Sequence, residues 1–260
     1  MLAIVSPAKK IDFSEVGDDL PHTQPDFIGE AEDLAGVLRK LSRTDLQRLM
    51  KISDPLTELN FQRFKAFKPP FTLSNAKQAV LAFSGDTYVG LEAKSLSRED
   101  LEYAQDHLVI LSGLYGALRP LDLIQAYRLE MGTRLKNPGG ADLYDFWGNG
   151  LTDAIDKRVE NHKDPVVVNL ASNEYFKAVK PKDMKARIIT PVFKEVKGDV
   201  AKVLGLFAKR ARGMMARYII TERLEDTKDL KSFSAGGYTY QDHLSDEDTW
   251  VYTRPQPAKK

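Results

Sequence analysis

Ser6-Pro-Ala-Lys9 sets a serine and a lysine at the spacing of the nucleophile motif of penicillin-binding enzymes. That chemistry needs the pair one helical turn apart, together with Ser-Asp-Asn and Lys-Thr-Gly elements. Here the motif follows an apolar run at the N-terminus, and no Lys-Thr-Gly occurs. An anion contact at a strand end fits better than a serine hydrolase, and a strand terminus with a solvated Lys9 is the plainer alternative. Two glycine elements, Ser84-Gly-Asp86 and Ser112-Gly-Leu-Tyr-Gly116, also follow apolar runs. Glycine at such a place allows a ligand close to the backbone, though tight turns explain both elements as well, and neither is a full phosphate loop or dinucleotide fingerprint. Between Arg119 and Glu130, the residues Arg119, Asp122, Tyr127, Arg128 and Glu130 interleave cations, carboxylates and an aromatic. They suit either a polar ligand or a buried ion network. Glu174 lies just past another apolar run. Ser6, Asp86, Tyr115, Arg119, Arg128, Glu130 and Glu174 therefore form one candidate strand-end pocket, with Lys9 beside it. Asp142-Leu-Tyr-Asp-Phe-Trp147 reads instead as core aromatics at helical spacing.

Two basic stretches carry a different chemistry. Lys209-Arg-Ala-Arg212-Gly-Met-Met-Ala-Arg217 has no carboxylate before Glu222, so pairing within its own helix cannot neutralise it. Lys209 shares a helix face with Arg212, and Arg210 shares one with Arg217. Clustered cations of this kind release counterions when they bind a polyanion, although a solvated basic face is the default. Arg39 to Lys68 holds 8 basic and 3 acidic residues around two short helices joined by a tight turn. Helix N-termini offer free N–H groups to phosphate, so Ser53, flanked by Arg48, Lys51 and Arg63, can grip a nucleic-acid backbone without reading sequence. An ordinary helical hairpin with a basic side is the competing reading.

These side chains need a scaffold, and the hydrophobic pattern supplies one. Buried strands are expected at 2–6, 79–83, 108–111 and 166–170, with longer strands at 187–197 and 200–207. Residues 12–29 read as loop. Helices are expected at 30–41, 44–51, 54–67, 97–107, 148–161 and 208–223, with a short one at 173–179. Thr44 and Asp54 are the expected caps of the hairpin helices, and Ser97 with Asp100 forms a capping pattern. Residues 237–240 and 250–253 read as a final hairpin. Strands and helices alternate early and strands pair late. This predicts a mixed α/β fold, one compact domain over residues 1–260 with a central mixed sheet surrounded by helices.

Composition narrows the function. The chain has no cysteine and four scattered histidines, which argues against a thiol catalyst, a disulfide framework and transition-metal catalysis. No metal or cofactor is expected. No apolar run is long enough to span a bilayer and the N-terminus lacks a signal-peptide pattern, so a cytoplasmic protein without a membrane partner is expected. The net charge of +1 hides a strong polarity: residues 176–217 hold 12 basic and 3 acidic residues, while residues 218–248 hold 3 basic and 8 acidic.

Several motifs occur together and in order: Ile4-Val-Ser-Pro-Ala-Lys9, Phe83-Ser-Gly-Asp-Thr-Tyr-Val-Gly-Leu91, Leu111-Ser-Gly-Leu-Tyr-Gly-Ala-Leu-Arg-Pro-Leu-Asp122, Tyr127-Arg-Leu-Glu-Met-Gly132, Asp142-Leu-Tyr-Asp-Phe-Trp-Gly148, Asn169-Leu-Ala-Ser-Asn-Glu-Tyr-Phe176 and the 209–217 stretch. The chain resembles the bacterial YaaA peroxide stress-resistance family over nearly its whole length. The resemblance implies a role in surviving peroxide by keeping unincorporated iron low, and DNA binding through a helix-hairpin-helix element beside a basic cleft. Residues 44–67 are where that element falls, although the turn Ile52-Ser-Asp-Pro55 lacks the glycines such turns usually carry. The expectation is a monomeric, non-enzymatic protein that holds duplex or branched DNA by its backbone. Arg48, Lys51, Ser53 and Arg63 would act from the hairpin, and Lys9, Lys209, Arg210, Arg212 and Arg217 from the cleft. The alternative is an enzyme acting on DNA or on a phosphorylated small molecule at the strand-end pocket.

Overall fold

A computed structural model describes residues 1–14 and 20–258; part of the loop expected over 12–29 lies outside them. β1 (Leu2–Val5) is wholly buried, as a short apolar run covered on both faces should be, and leads to a short β2 (Lys10–Ile11). Helices α1 (Ile28–Arg39), α2 (Arg43–Met50) and α3 (Asp54–Ala66) follow. α1 buries Ala31, Leu34, Ala35 and Leu38, one helical stripe. Next come β3 (Lys77–Gln78), α4 (Ala79–Ala82), β4 (Phe83–Ser84), α5 (Asp86–Leu91) and α6 (Arg98–His107). α6 opens with the Ser97–Asp100 capping box. β5 (Leu108–Ser112), β6 (Gly116–Leu118) and β7 (Leu123–Ile124) precede α7 (Leu143–Trp147) and α8 (Gly150–Val159). β8 (Val166–Leu170) and α9 (Asn173–Phe176) come next. The chain then runs through β9 (Arg187–Lys197), β10 (Val200–Lys202), α10 (Gly205–Thr221), β11 (Thr239–Tyr240) and β12 (Thr249–Pro255).

The main sheet has the order β11-β12-β9-β8-β1-β5-β6, with β10 paired to β9. Its centre, β12-β9-β8-β1-β5, is parallel. Antiparallel pairs β5–β6, β9–β10 and β11–β12 complete it. This is the mixed α/β sheet flanked by helices that the alternation predicted. β1 leads outward toward β5 on one side, and β8 leads outward toward β9 on the other. The β1–β8 seam is therefore a topological switch point, where open α/β sheets form crevices outside the strands' carboxyl ends. Among the described residues, no helix is long and apolar enough to cross a membrane.

Four local expectations are corrected. The run 79–83 is the helix α4 between two-residue strands, because an unbroken buried apolar run carries no period to tell helix from strand. Its first N–H groups are satisfied by the 119–122 loop, with Ala79 donating to the Asp122 carbonyl (2.9 Å) and Val80 to that of Pro120 (3.0 Å). The strand expected over 200–207 stops at Lys202, since α10 begins at Gly205. Ser42, rather than Thr44, caps α2 by accepting from the Asp45 N–H. Ser53, rather than Asp54, is the N-cap residue of α3, and Asp54 instead accepts a hydrogen bond from Gln47. The final hairpin is present, with Thr239 opposite Thr253. In α7, Trp147 is buried and donates to the Gly113 carbonyl (3.2 Å), the core role expected of that aromatic run.

Candidate functional site

A cavity of about 510 Å³ opens at the β1–β8 switch point. It draws on five separate stretches. The segment after β1 supplies Ser6 and Lys9, the start of α5 supplies Asp86, and the segment after β7 supplies Arg128 and Glu130. The start of α9 after β8 supplies Ser172, Glu174 and Tyr175, and α10 supplies Lys209 and Arg212.

Hydrogen bonds fix the two sides of the seam to each other. The Ser172 N–H donates to Ser6 Oγ (2.8 Å), and Ser6 Oγ–H donates to Ser172 Oγ (3.3 Å). Tyr88 donates its hydroxyl to the Ser6 carbonyl (3.1 Å). Residues 127–131 alternate, with Tyr127, Leu129 and Met131 buried while Arg128 and Glu130 are partly open. Glu130 Oε1 receives both Lys9 Nζ (2.8 Å) and Arg128 Nη2 (3.3 Å). Glu174 accepts from the Gly132 N–H (2.9 Å).

α10 reaches the cavity because two glycines allow it. A Cβ on Gly213 would lie 1.8 Å from the Thr87 carbonyl oxygen, and one on Gly90 would lie 2.0 Å from that of Arg210. No side chain fits at such distances, so α5 and α10 meet backbone to backbone. Arg210 and Arg217 fasten this joint. Arg210 Nε donates to Asp86 (3.4 Å), and Arg217 donates to the Leu91 and Glu92 carbonyls (3.1 and 3.2 Å) at the end of α5.

The cations differ in what they face. Lys209 and Arg212, one turn apart on α10, form no ion pair among the described residues, although Asp86, Glu130 and Glu174 share the lining. Burial alone lowers the Arg212 pKa, yet an arginine stays charged at any physiological pH. Arg128 Nε is buried with no hydrogen-bond partner. Burial also raises the pKa values of Tyr88, Tyr127 and Tyr175, so these phenols stay neutral. Tyr127 shares a short hydrogen bond with Ser112 (2.6 Å). The sequence points to Tyr127 within the 119–130 stretch, but Tyr88, Ser172 and Tyr175 are not among the pocket residues expected from it. For Tyr175 the signal was position, since it adjoins a residue flagged by charge.

Other flagged residues lie elsewhere. Tyr115 is fully buried and its hydroxyl donates to the Gln125 carbonyl (3.2 Å). Arg119 binds Asp122 (3.1 Å) and Asp26 (3.3 Å) and lines a second cavity with His107, Arg158 and His162. Arg48, Lys51, Ser53 and Arg63 are all on the α2–α3 hairpin, outside the cleft lining. Arg48 sits 3.8 Å from Asp45, and half-buried Arg63 donates to Asn60 (3.4 Å). Lys51 is exposed and left-handed, with φ of 52°. Ser53 makes no side-chain capping bond. No group of three or more His, Asp or Glu able to hold a metal ion occurs among the described residues.

Comparison with known proteins places the chain. A family model described as peroxide stress protein YaaA matches residues 1–244. A UPF0246 protein of Ralstonia nicotianae is 54% identical over 254 residues, covering 98% of this chain and 99% of that protein. A UPF0246 protein of Magnetococcus marinus is 54% identical with the same coverage. One from Alteromonas mediterranea is 52% identical over 262 residues, the full length of both chains. With matches of this extent, the chain belongs to the YaaA family of peroxide stress proteins.

Proposed function

We propose that this member of the peroxide stress family binds DNA, duplex or branched, through its sugar-phosphate backbone and largely without reading sequence. By doing so it helps limit iron-mediated damage to that DNA. The observation that carries the reading is the pair Lys209 and Arg212, which line the cleft and form no ion pair among the described residues. Lys9 and Arg128 stand in the same lining. A phosphate backbone supplies the missing counter-charge, and its binding releases condensed counterions. From the hairpin, Arg48, Lys51, Ser53 and Arg63 add backbone contacts. Arg210 and Arg217 serve the same end indirectly, by holding α10 on α5.

The test is a gel-shift titration of a short duplex and a four-way junction against rising salt. Affinity is expected to fall steeply as salt rises. Absence of a shift at low salt overturns the reading, as does a shift unchanged by Lys209→Glu with Arg212→Glu. The link to iron is tested separately, by strand breakage of a plasmid exposed to Fe(II) and peroxide with and without the protein. A second reading, an enzyme acting on DNA or on a phosphorylated small molecule, is favoured by the volume of the cavity, about 510 Å³. Glu130 and Glu174 in its lining are the groups suited to acid–base work there.

A further inference from the structure

We propose that the strand-end cleft is a pocket for one nucleoside monophosphate unit, with Arg212 and Lys209 taking the phosphate and Tyr88, Tyr127 and Tyr175 framing the nucleoside. The unit arrives either as a free nucleotide or as an unpaired nucleotide of a strand, and the chemistry recognised is the same. The inference shares Lys209 and Arg212 with the DNA reading but does not depend on it.

Shape is the first argument. A cavity of about 510 Å³ falls within the range of small-molecule sites, roughly 300–1,000 Å³. A double helix cannot enter it. A surface made only to hold a duplex backbone needs no recess, yet this protein builds one at the β1–β8 seam, where α/β sheets place ligands.

Charge is the second. A half-buried guanidinium without a partner loses hydration and gains nothing in return. Arg212 is in that position, with no hydrogen-bond or ion-pair partner among the described residues. An anion inside the cleft, beside Lys209, satisfies it. Its charge is bounded from the other side. Asp86, Glu130 and Glu174 stand in the same lining, so a chain of two or three phosphates is driven against carboxylates, whereas one phosphate matches the Lys209–Arg212 pair.

The remaining wall supplies the third. Tyr88 and Tyr127 lie in the lining, yet their hydroxyls are engaged by the Ser6 carbonyl and Ser112. With Tyr175 they give the cavity a largely buried aromatic border, and the little of each ring that meets the cavity is apolar, which suits the flank of a flat ring.

Calorimetric titration of the full-length protein tests this with the four deoxynucleoside monophosphates, their nucleosides and inorganic phosphate. At least one monophosphate is expected to bind tenfold or more tightly than both its nucleoside and inorganic phosphate. Arg212→Gln is expected to weaken it at least tenfold, and Lys209→Gln severalfold, with circular dichroism melts checking that each variant folds. Failure of all four monophosphates to bind at millimolar concentration overturns the proposal. So does equal binding of nucleotide and nucleoside, or binding indifferent to both substitutions. Competition by a duplex with one unpaired nucleotide, beyond that of a fully paired duplex, assigns the pocket to a nucleotide within a strand. Lack of that extra competition assigns it to the free nucleotide. A protein that binds the monophosphate but shifts no duplex keeps this inference and loses the DNA reading; the reverse result separates the two in the other direction.

Discussion

The helical hairpin and the strand-end cleft both come from basic stretches, and they use their charge in different ways. In the hairpin most cations are occupied by the fold. Arg39 donates to the Phe64 and Phe67 carbonyls (3.3 and 2.8 Å), where α3 ends. Arg43 pairs with Glu58 and lies over the Phe61 ring, which Lys65 also covers. Arg48 and Arg63 have near neighbours in Asp45 and Asn60. In the cleft the arrangement is reversed. Arg210 and Arg217 brace α10, while Lys209 and Arg212 are left facing the cavity. Equal excesses of charge therefore do not mean equal readiness for a polyanion. What matters is the charge left over after the fold has taken its share.

Charge reversal tests this contrast most strongly. Lys209→Glu with Arg212→Glu is expected to weaken duplex binding by at least about 100-fold at low salt, since each removes a charge-assisted contact of about 1.5–3 kcal/mol. The log–log salt slope should shrink by about two, one per lost phosphate contact. Arg48→Glu with Lys51→Glu is expected to cost only a few-fold. Gel shifts across a salt series measure both pairs. An equal loss from the two pairs breaks the comparison.

Next in size is Gly213→Ala. In an exposed helix interior this change normally stabilises by about 1 kcal/mol. Here the added Cβ meets the Thr87 carbonyl oxygen at 1.8 Å, so the sign reverses. A loss of about 1–3 kcal/mol is expected from overpacking, read as a lower urea midpoint, together with weaker duplex binding as α10 moves off α5. Arg39→Ala is the counterpart in the hairpin. Loss of its two bonds to the end of α3 is expected to cost about 1 kcal/mol in urea unfolding, with the salt slope of DNA binding unchanged. A changed slope would show that Arg39 is not committed to the fold as described.

Much of this was legible in the sequence. Buried apolar runs marked β1, β5 and β8, and the polar residues after β1 and β8, Ser6 and Glu174, do line one cleft. The i, i+3 spacing put Lys209 and Arg212 on one face. Tyr115 was misleading because β5 turns straight back into antiparallel β6, which carries its ring into the core. Arg119 was misleading because its partners include Asp26, far away in the chain. Long-range partners leave no periodic trace, and for the same reason Arg39 reads from sequence as a free cation. The unbroken apolar run of α4 likewise held no period to identify it.

The smallest predicted effect concerns the hairpin turn. The turn expected at Ile52-Ser-Asp-Pro55 has no glycine, but the residue before it, Lys51, holds the left-handed conformation with φ of 52°. A side chain there costs about 1 kcal/mol relative to glycine. Lys51→Gly removes that strain and one exposed cation in a single change. Stability is expected to rise by roughly 0.5–1 kcal/mol, read as a higher urea midpoint, while duplex affinity falls less than the Lys209 and Arg212 pair would lose. A large drop in affinity despite the added stability would move the principal DNA contact from the cleft to the hairpin and reverse the order of the two regions.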